Sequence, residues 1–243
     1  MKLILFDLDG TLVKSTKEIT NNMILALEYL KFLGYKLAII TGANIEKIKK
    51  QLKAHIYLFN YIFSENGVVS YMIDNNEIAL LNSQDIKDII SEENIQKIVN
   101  HVLKFIIETE LPYKRGRFIS FRKAMLYCTP IGGDCSVEER YNFIKYDKQF
   151  QIRKKLIAYL KNNLSNLNFE CSLGGNIGVC VHPIGWDKSY CLQFIPSEFK
   201  EIYFFGDRCS PEGNDYPLYS NSNIKSFKVI NYLDTIKKIY LNF

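Results

Sequence analysis

Two aspartates, Asp7 and Asp9, flank Leu8 and are followed at once by Gly10 and Thr11. They come directly after the apolar run 3–6, which places them at the carboxyl end of a buried strand, where open α/β sheets hold their ligands. Residues i and i+2 of a strand face the same side, so the spacing predicts two carboxylates turned toward one ligand. Such a pair suits phosphoryl transfer. One carboxylate attacks phosphorus, and the other, its proton affinity raised by its neighbour, supplies a proton to the leaving oxygen. A magnesium ion set against Asp7 would cancel the repulsion between an anionic nucleophile and an anionic phosphate. Asp7, Asp9 and Glu18 also match positions 1, 3 and 12 of a calcium-binding helix–loop–helix. Against that reading, Leu12 stands where the calcium loop requires Gly, and a strand precedes instead of a helix.

Three further groups offer complementary chemistry. Thr41-Gly42 closes a second apolar stretch; it is either a plain turn or a hydroxyl and an unhindered N–H for phosphate oxygens. Gly206-Asp207 and Gly213-Asn214-Asp215 put two acids eight residues apart on a glycine-containing loop. Both reach one cation, unless the loop is a solvated turn. Lys188, in Gly185-Trp186-Asp187-Lys188, is either solvent-facing or a point charge for phosphate.

The elements that must position these residues follow from hydrophobic spacing. After strand 3–6, Ile19, Met23, Ala26, Leu27 and Leu30 recur at helical intervals within 18–33, closed by Gly34. Strand 36–40, helix 44–54 and strand 61–64 continue the alternation, which implies a parallel sheet. Runs 68–73 and 77–81 across Asp74-Asn75-Asn76 read as a hairpin. The pattern then changes: helix 93–110, strands 117–121 and 124–128, helices 136–146 and 148–162, and strands 168–172 and 176–181 flanking Gly174-Gly175. Strands that pair locally make this an α+β block inserted into the first domain. Strand 201–205, strand 226–230 and helix 233–240 resume the parallel pattern.

Composition narrows the partners. An apolar fraction of 47% with 23% charged residues is globular. No apolar run nears the roughly 20 residues of a membrane span, and the stretch 2–6 is too short for a signal-peptide core. A cytoplasmic protein without membrane contact is expected. The six cysteines lack a C-x-x-C pair and are expected to be reduced thiols; His55, His101 and His182 are too scattered for a zinc site. The net charge of +5 suits an anionic small substrate, while Lys and Arg spread along the chain exclude a concentrated nucleic-acid stripe.

Asp-x-Asp-Gly-Thr from Asp7, Thr-Gly at Thr41, Lys188 and Gly-Asp…Asn-Asp from Gly206, in that order at strand ends, resemble the haloacid dehalogenase (HAD) superfamily. The inserted block resembles its cap. YIFSENG (61–67), LPYKRG (111–116), FISFR (118–122), PIG (130–132), EER (138–140), GWDKSYC (185–191) and YFFGD (203–207) are similar to the eukaryotic phosphomannomutases along nearly the whole chain. The resemblance implies a HAD-type, Rossmann-like α/β core over 1–81 and 187–243. An α+β cap over 82–186 would bind substrate and form a homodimer. It also implies a Mg²⁺-dependent mutase that interconverts mannose 6-phosphate and mannose 1-phosphate through an aspartyl-phosphate and a hexose bisphosphate, the activator, to feed GDP-mannose synthesis.

Carried over by position, Asp7 is the nucleophile and Asp9 the general acid/base. Thr41, Gly42 and Lys188 hold the transferring phosphate, and Arg122 and Arg140 hold the other one. Asp7, Asp9, Asp207 and Asp215 serve the metal. Departures touch the recognition shell. Thr16 and Gly133 stand where the family has Arg, and Gly178-Val179-Cys180 where it has a Ser-x-Asp pair that contacts the sugar. Asn221 and Ile224 replace an Asp and a Thr of a second cation site. Two lost charge-assisted contacts at ~1.5–3 kcal/mol each amount to ~3–6 kcal/mol, on the order of 10²–10⁴ in affinity. Lys14, Lys17, Arg117 and Lys123 are the candidate substitutes. The alternatives are a capped phosphatase, in which water takes the phosphoryl group, and a non-catalytic homologue. A phospho-aspartate receiver would need neither Asp9 nor a cap.

Overall fold

Burial on both faces decides where the first strand lies. A computed structural model describes all residues, Met1–Phe243. In it Leu3, Ile4, Leu5 and Phe6 are completely buried, as a central parallel strand requires. The chain divides into two compact units, Met1–Ser83 with Trp186–Phe243, and Gln84–Gly185.

The first unit contains β1 (Lys2–Phe6), α1 (Asn21–Phe32), β2 (Lys36–Ile40), α2 (Ile45–Leu52), β3 (Tyr61–Ser64), β4 (Val69–Asp74) and β5 (Glu77–Ser83). The second contains α3 (Glu92–Glu108), β6 (Ile119–Phe121), β7 (Leu126–Cys128), α4 (Val137–Phe150), α5 (Ile152–Asn163), β8 (Phe169–Gly174) and β9 (Gly178–Pro183). The chain returns to the first unit with β10 (Glu201–Gly206), α6 (Tyr216–Tyr219), β11 (Ile224–Lys228) and α7 (Tyr232–Asn242).

The seven-stranded sheet has the order β11-β10-β1-β2-β3-β4-β5, parallel from β11 to β3 and antiparallel through β4 and β5. Side chains alternate between its faces. Ile4, Phe6, Ile39 and Phe205 pack with Leu27 and Leu30 of α1 and Ile239 of α7, while Leu3, Leu5, Ala38, Ile40 and Phe204 join Leu218 and Phe199 on the other face. Phe6, Phe205 and Phe227 stack across β1, β10 and β11 with ring centroids 5.1 and 4.7 Å apart. Burying each such ring contributes roughly 1.5–3 kcal/mol. Register then fixes the site. Phe6 lies opposite Phe205 on β10 and Ile39 on β2, so Asp7, Gly206-Asp207 and Thr41 emerge at one sheet edge.

Several boundaries differ from the sequence reading. The first helix begins at Asn21 instead of residue 18, because Thr16 takes a left-handed φ of 66° and the Ile19 N–H goes to the Gln51 carbonyl. The last strand is 224–228 instead of 226–230. Ile202 of β10 pairs with Ile224, and the Ile230 N–H is taken by Asp234 at the mouth of α7. The insertion starts at Gln84, not residue 82, since β5 stays paired through Ser83 opposite Val69. It ends at Gly185, because Trp186 is tied to Asn66 in the first unit.

In the second unit β6-β7-β9-β8 form an antiparallel sheet. Leu126, Val179 and Val181 of that sheet are fully buried, as are Leu156 and Leu160 of α5 and Ile95, Ile98 and Val102 of α3. Ser136 and Glu139 close a reciprocal capping box at the start of α4. Gln151, left-handed at φ 55°, breaks α4 from α5. All six cysteines are free thiols. No helix is long and apolar enough to cross a membrane.

Candidate active site

Asp7 is the first residue past β1, its N–H bound to the Phe205 carbonyl of β10 at 2.9 Å and its side chain only 5% exposed. Lys188, itself 1% exposed, meets Asp7 Oδ1 and donates to Asp215 Oδ1 at 2.6 Å. Asp215 Oδ2 accepts the Arg208 N–H at 2.9 Å, which closes the loop 207–215 on itself. Lys188 opens a 3-10 turn, Lys188–Phe194, that the sequence pattern did not reveal; Asp187 caps it by accepting the Ser189 N–H at 2.7 Å. One ammonium thus holds the ends of three separate chain segments.

Asp7, Asp207 and Asp215 bring carboxylate oxygens within 4.8 Å of one another. Burial first, then the Asp215 and Asp207 charges, pushes the Asp7 carboxyl well above the usual range against the pull of Lys188. Asp207 is raised likewise, by burial and then by Asp215, with Arg208 opposing. Burial works against the Lys188 charge, but Asp215 and Asp7 outweigh it and raise its pKa. Three acids against one buried ammonium leave negative charge in excess, and an all-oxygen donor set of this kind fits a hard divalent cation. The backbone makes room for it. A Cβ on Gly10, at φ 98°, would lie 2.5 Å from Asp207 Oδ2, and one on Gly206 2.8 Å from Asp215 Oδ2.

The Asp9 side chain departs from expectation. Its carboxylate stands outside the three-acid cluster, ion-paired with Lys47 and accepting Gln51 Nε2 at 3.1 Å and the Thr16 N–H at 3.3 Å. Burial alone would raise its pKa, but Lys47, Gln51 and Thr16 prevail and lower it. The strand rule of facing residues fails here because β1 has ended at Phe6 and the chain turns through Gly10. The carboxyl with the raised proton affinity is therefore Asp7, not Asp9. Lys47 and Gln51, missed in the sequence, lie one turn apart on α2, and that i, i+4 spacing facing Asp9 was the available signal.

Thr41 is buried. Its N–H binds the Phe63 carbonyl at 3.0 Å, and its Oγ1 accepts the Ala43 N–H at 3.2 Å, leaving the hydroxyl proton to donate. Gly42 is half-buried between them.

Arg122 and Arg140 belong to the second unit. Arg140 is half-buried and donates from Nε to the Cys135 carbonyl at 3.0 Å and from Nη2 to the Gly133 carbonyl. The Arg122 guanidinium lies 4.5 Å over the Tyr127 ring. Tyr127 in turn covers three glycines: a Cβ on Gly178 would fall 2.4 Å from its Cζ, and Cβ atoms on Gly174 and Gly175 would be 2.8 and 3.0 Å from ring or hydroxyl atoms. Glycine at 178 is thus bound up with a tyrosine at 127. Asn221 Oδ1 accepts the Asn223 N–H at 2.9 Å, and Ile224 is buried in the sheet, so neither adds a carboxylate.

A mainly parallel sheet with an α+β unit inserted after its hairpin, and three acids and a buried lysine at the strand ends, define a haloacid dehalogenase-like protein. Solved structures share the fold. A haloacid dehalogenase-like hydrolase from Bacteroides thetaiotaomicron aligns with 100% of this chain and 99% of its own at TM-score 0.60 and 17% identity. The IMP-bound, N-terminally truncated IMP-nucleotidase of Plasmodium falciparum aligns with 99% and 67% at TM-score 0.66 and 16% identity. Sequence carries the assignment further. The eukaryotic phosphomannomutase family model matches residues 27–243. Phosphomannomutase 1 of Dictyostelium discoideum is 43% identical over 238 residues, 96% of this chain and 93% of that protein. The phosphomannomutase of Dendrobium officinale is 39% identical over 242 residues, 99% and 94% of the two chains. The chain belongs to the eukaryotic phosphomannomutase family.

Proposed function

We propose that this chain is a magnesium-dependent phosphomannomutase that interconverts mannose 6-phosphate and mannose 1-phosphate. The observation that carries the reading is a family match running through the insertion to residue 243, on a chain that buries Asp7 against Lys188 at the sheet edge.

Asp7 Oδ2 attacks a phosphoryl group of a hexose bisphosphate. An O–P bond forms to Asp7 as the sugar O–P bond breaks, and Asp9 gives the departing sugar oxygen the proton it took from a sugar hydroxyl in the opposite transfer of the cycle. In the return step ionised Asp9 takes a proton from the sugar hydroxyl, whose oxygen then accepts the phosphoryl group from Asp7. The ion pair with Lys47 favours the ionised form that this step requires. Thr41, Gly42 and Lys188 hold the transferring group, and Arg122 and Arg140 the phosphate that is not reacting. Mg²⁺, held by the Asp7, Asp207 and Asp215 carboxylates and the Asp9 carbonyl, would keep Asp7 ionised and neutralise phosphate charge.

The product feeds GDP-mannose synthesis in the cytoplasm, with a hexose bisphosphate as activator. A homodimer forms through the insertion, where Leu103 and Ile107 of α3 and Val137 and Tyr141 of α4 expose apolar surface at helical spacing. The test is to incubate the protein with mannose 1-phosphate, Mg²⁺ and catalytic hexose bisphosphate, and to measure mannose 6-phosphate and free phosphate together. Mannose 6-phosphate should accumulate. Free phosphate as the main product would make the chain a phosphatase, and no turnover would make it a non-catalytic homologue.

A further inference from the structure

Glu65, Asn66 and Gly67 have consecutive left-handed φ angles of 48°, 63° and 90°, the only run of three in the chain. All three are buried. Such a backbone is disfavoured for Glu and tolerated by Asn and Gly, so surrounding contacts must hold it in place. Those contacts lead to both phosphate-binding segments. On one side the Glu65 N–H donates to the Ala43 carbonyl at 3.0 Å and the Asn66 N–H to the Thr41 carbonyl at 2.9 Å. On the other, Asn66 Nδ2 donates to the Trp186 carbonyl at 3.1 Å, two residues before Lys188. Gly67 presses on the turn that Lys188 opens, where a Cβ would lie 2.8 Å from the Cys191 Cα. Behind the wedge, Ser64 Oγ donates to the Val69 carbonyl at 2.8 Å and Ser70 Oγ to the Gly67 carbonyl at 2.6 Å.

We infer that Asn66 is a positioning residue that sets the spacing between the Thr41–Gly42 loop and Lys188, so that hydroxyl, backbone N–H and ammonium converge on one phosphoryl group. The inference rests on the proposed transfer at Asp7. Groups that grip one reacting centre must stay within about 0.5 Å of their working positions, and a 1 Å misplacement costs about 10²-fold in rate. Lys188 lies two peptide units from the Trp186 carbonyl that Asn66 pins, and the one nearer carbonyl contact, Asp187 to the Tyr190 N–H at 3.0 Å, stays within the turn that Lys188 opens. Asn66 makes no hydrogen bond to Asp207 or Asp215 and reaches them only through the Lys188–Asp215 pair, so phosphoryl binding should fall much further than metal binding.

The experiment compares wild type, Asn66→Gly and Asn66→Asp. Asn66→Gly deletes the donor and relaxes the backbone; Asn66→Asp deletes the donor but keeps the side-chain shape. Beryllofluoride, BeF₃⁻, with Mg²⁺ serves as a phosphoryl probe of Asp7, and mannose 1-phosphate turnover is measured in parallel. Both variants should bind BeF₃⁻ about tenfold more weakly and lose about 10–100-fold in kcat. KM and half-saturating Mg²⁺ should stay within about threefold, a split that general loosening would not give. BeF₃⁻ affinity unchanged in Asn66→Gly, or Mg²⁺ and BeF₃⁻ affinities falling together, overturns the inference. A wild-type protein that binds BeF₃⁻ but does not turn over mannose 1-phosphate overturns the mutase reading alone, and the BeF₃⁻ affinities still decide the role of Asn66. A wild-type protein that does not bind BeF₃⁻ overturns both.

Discussion

Lys188 and Arg140 are both cations held by the protein, but by different partners. Lys188 is buried between two carboxylates, Asp7 and Asp215, which fix its place and cancel its charge. Arg140 is half-buried and held by two backbone carbonyls, of Gly133 and Cys135. Carbonyls orient a guanidinium without supplying the opposite charge that a carboxylate would, and we propose that this leaves Arg140 open to an anion. Arg117, a candidate replacement for the missing family arginines, has the opposite arrangement: both its Nε and Nη2 contact Asp134 Oδ1, at 2.7 and 2.5 Å. The comparison separates a centre built to hold its geometry from a surface built to offer charge. Each can be broken separately.

The largest effect is expected at the centre. Asp7→Asn should abolish phosphoenzyme labelling and lower turnover by at least about 10³-fold, because it removes the carboxylate proposed to accept the phosphoryl group. The fold should survive, since Lys188 keeps Asp215. Circular dichroism and acid-stable labelling with a ³²P-labelled bisphosphate check both. Residual turnover within tenfold of wild type would remove Asp7 from the nucleophile's role.

Next comes the proton. Asp9→Asn should lower kcat by about 10²–10⁴ with little change in the magnesium requirement. Lys47→Met should act through the pH profile. Lys47 lowers the Asp9 pKa, so its loss raises that pKa and the ionised form disappears at a higher pH as the medium is acidified. The acid limb of kcat/KM should therefore move to higher pH. An unmoved limb, or one moved to lower pH, would detach Lys47 from the proton transfer.

These two regions were not equally legible in the sequence. Asp7, Asp207 and Asp215 could be read because strand ends in an open sheet are ligand sites, and short apolar runs with glycines mark those ends even in one sequence. The role of Lys188 as an ion-pair partner could not. It lies 181 residues from Asp7, and only the sheet order β10-β1-β2 makes the two segments neighbours. The raised proton affinity expected for Asp9 fails because period-2 spacing does not extend to a residue three beyond the last paired one, Phe6. The strain at Asn66 left only a weak trace, since Asn-Gly reads as an ordinary hairpin turn and nothing local announces a third left-handed residue at Glu65.

Arg140→Ala tests the surface side. It should weaken mutase turnover by about 2–3 kcal/mol, roughly 30–150-fold, while hydrolysis of a small phosphate ester stays nearly unchanged. The ester has no second phosphate to hold, and remote binding energy is what orients the bisphosphate for the second transfer. If both reactions slow equally, the insertion is not holding a distal phosphate.

The smallest effect, and the sharpest test of the comparison, comes from adding a charge. Gly133 has no left-handed φ, and a Cβ there would lie 3.4 Å from the Arg117 carbonyl and 3.6 Å from the Arg117 Cβ, ordinary contact distances, so Gly133→Arg should fold normally. Its carbonyl already orients Arg140, so the new side chain starts beside the charge it is meant to reinforce. If recognition is limited by missing positive charge, KM for mannose 1-phosphate should fall by roughly 1–2 kcal/mol, about five- to thirtyfold. Asp134, the next residue, can instead capture the new guanidinium, as it captures Arg117. An exposed pair of that kind is worth about 0–1 kcal/mol and gives the substrate nothing. The double variant Gly133→Arg with Asp134→Ala separates the two outcomes. A fall in KM only in the double variant would show that the local carboxylate, and not the arginine count, controls the surface. A fall in neither would mean that Arg122 and Arg140 already suffice.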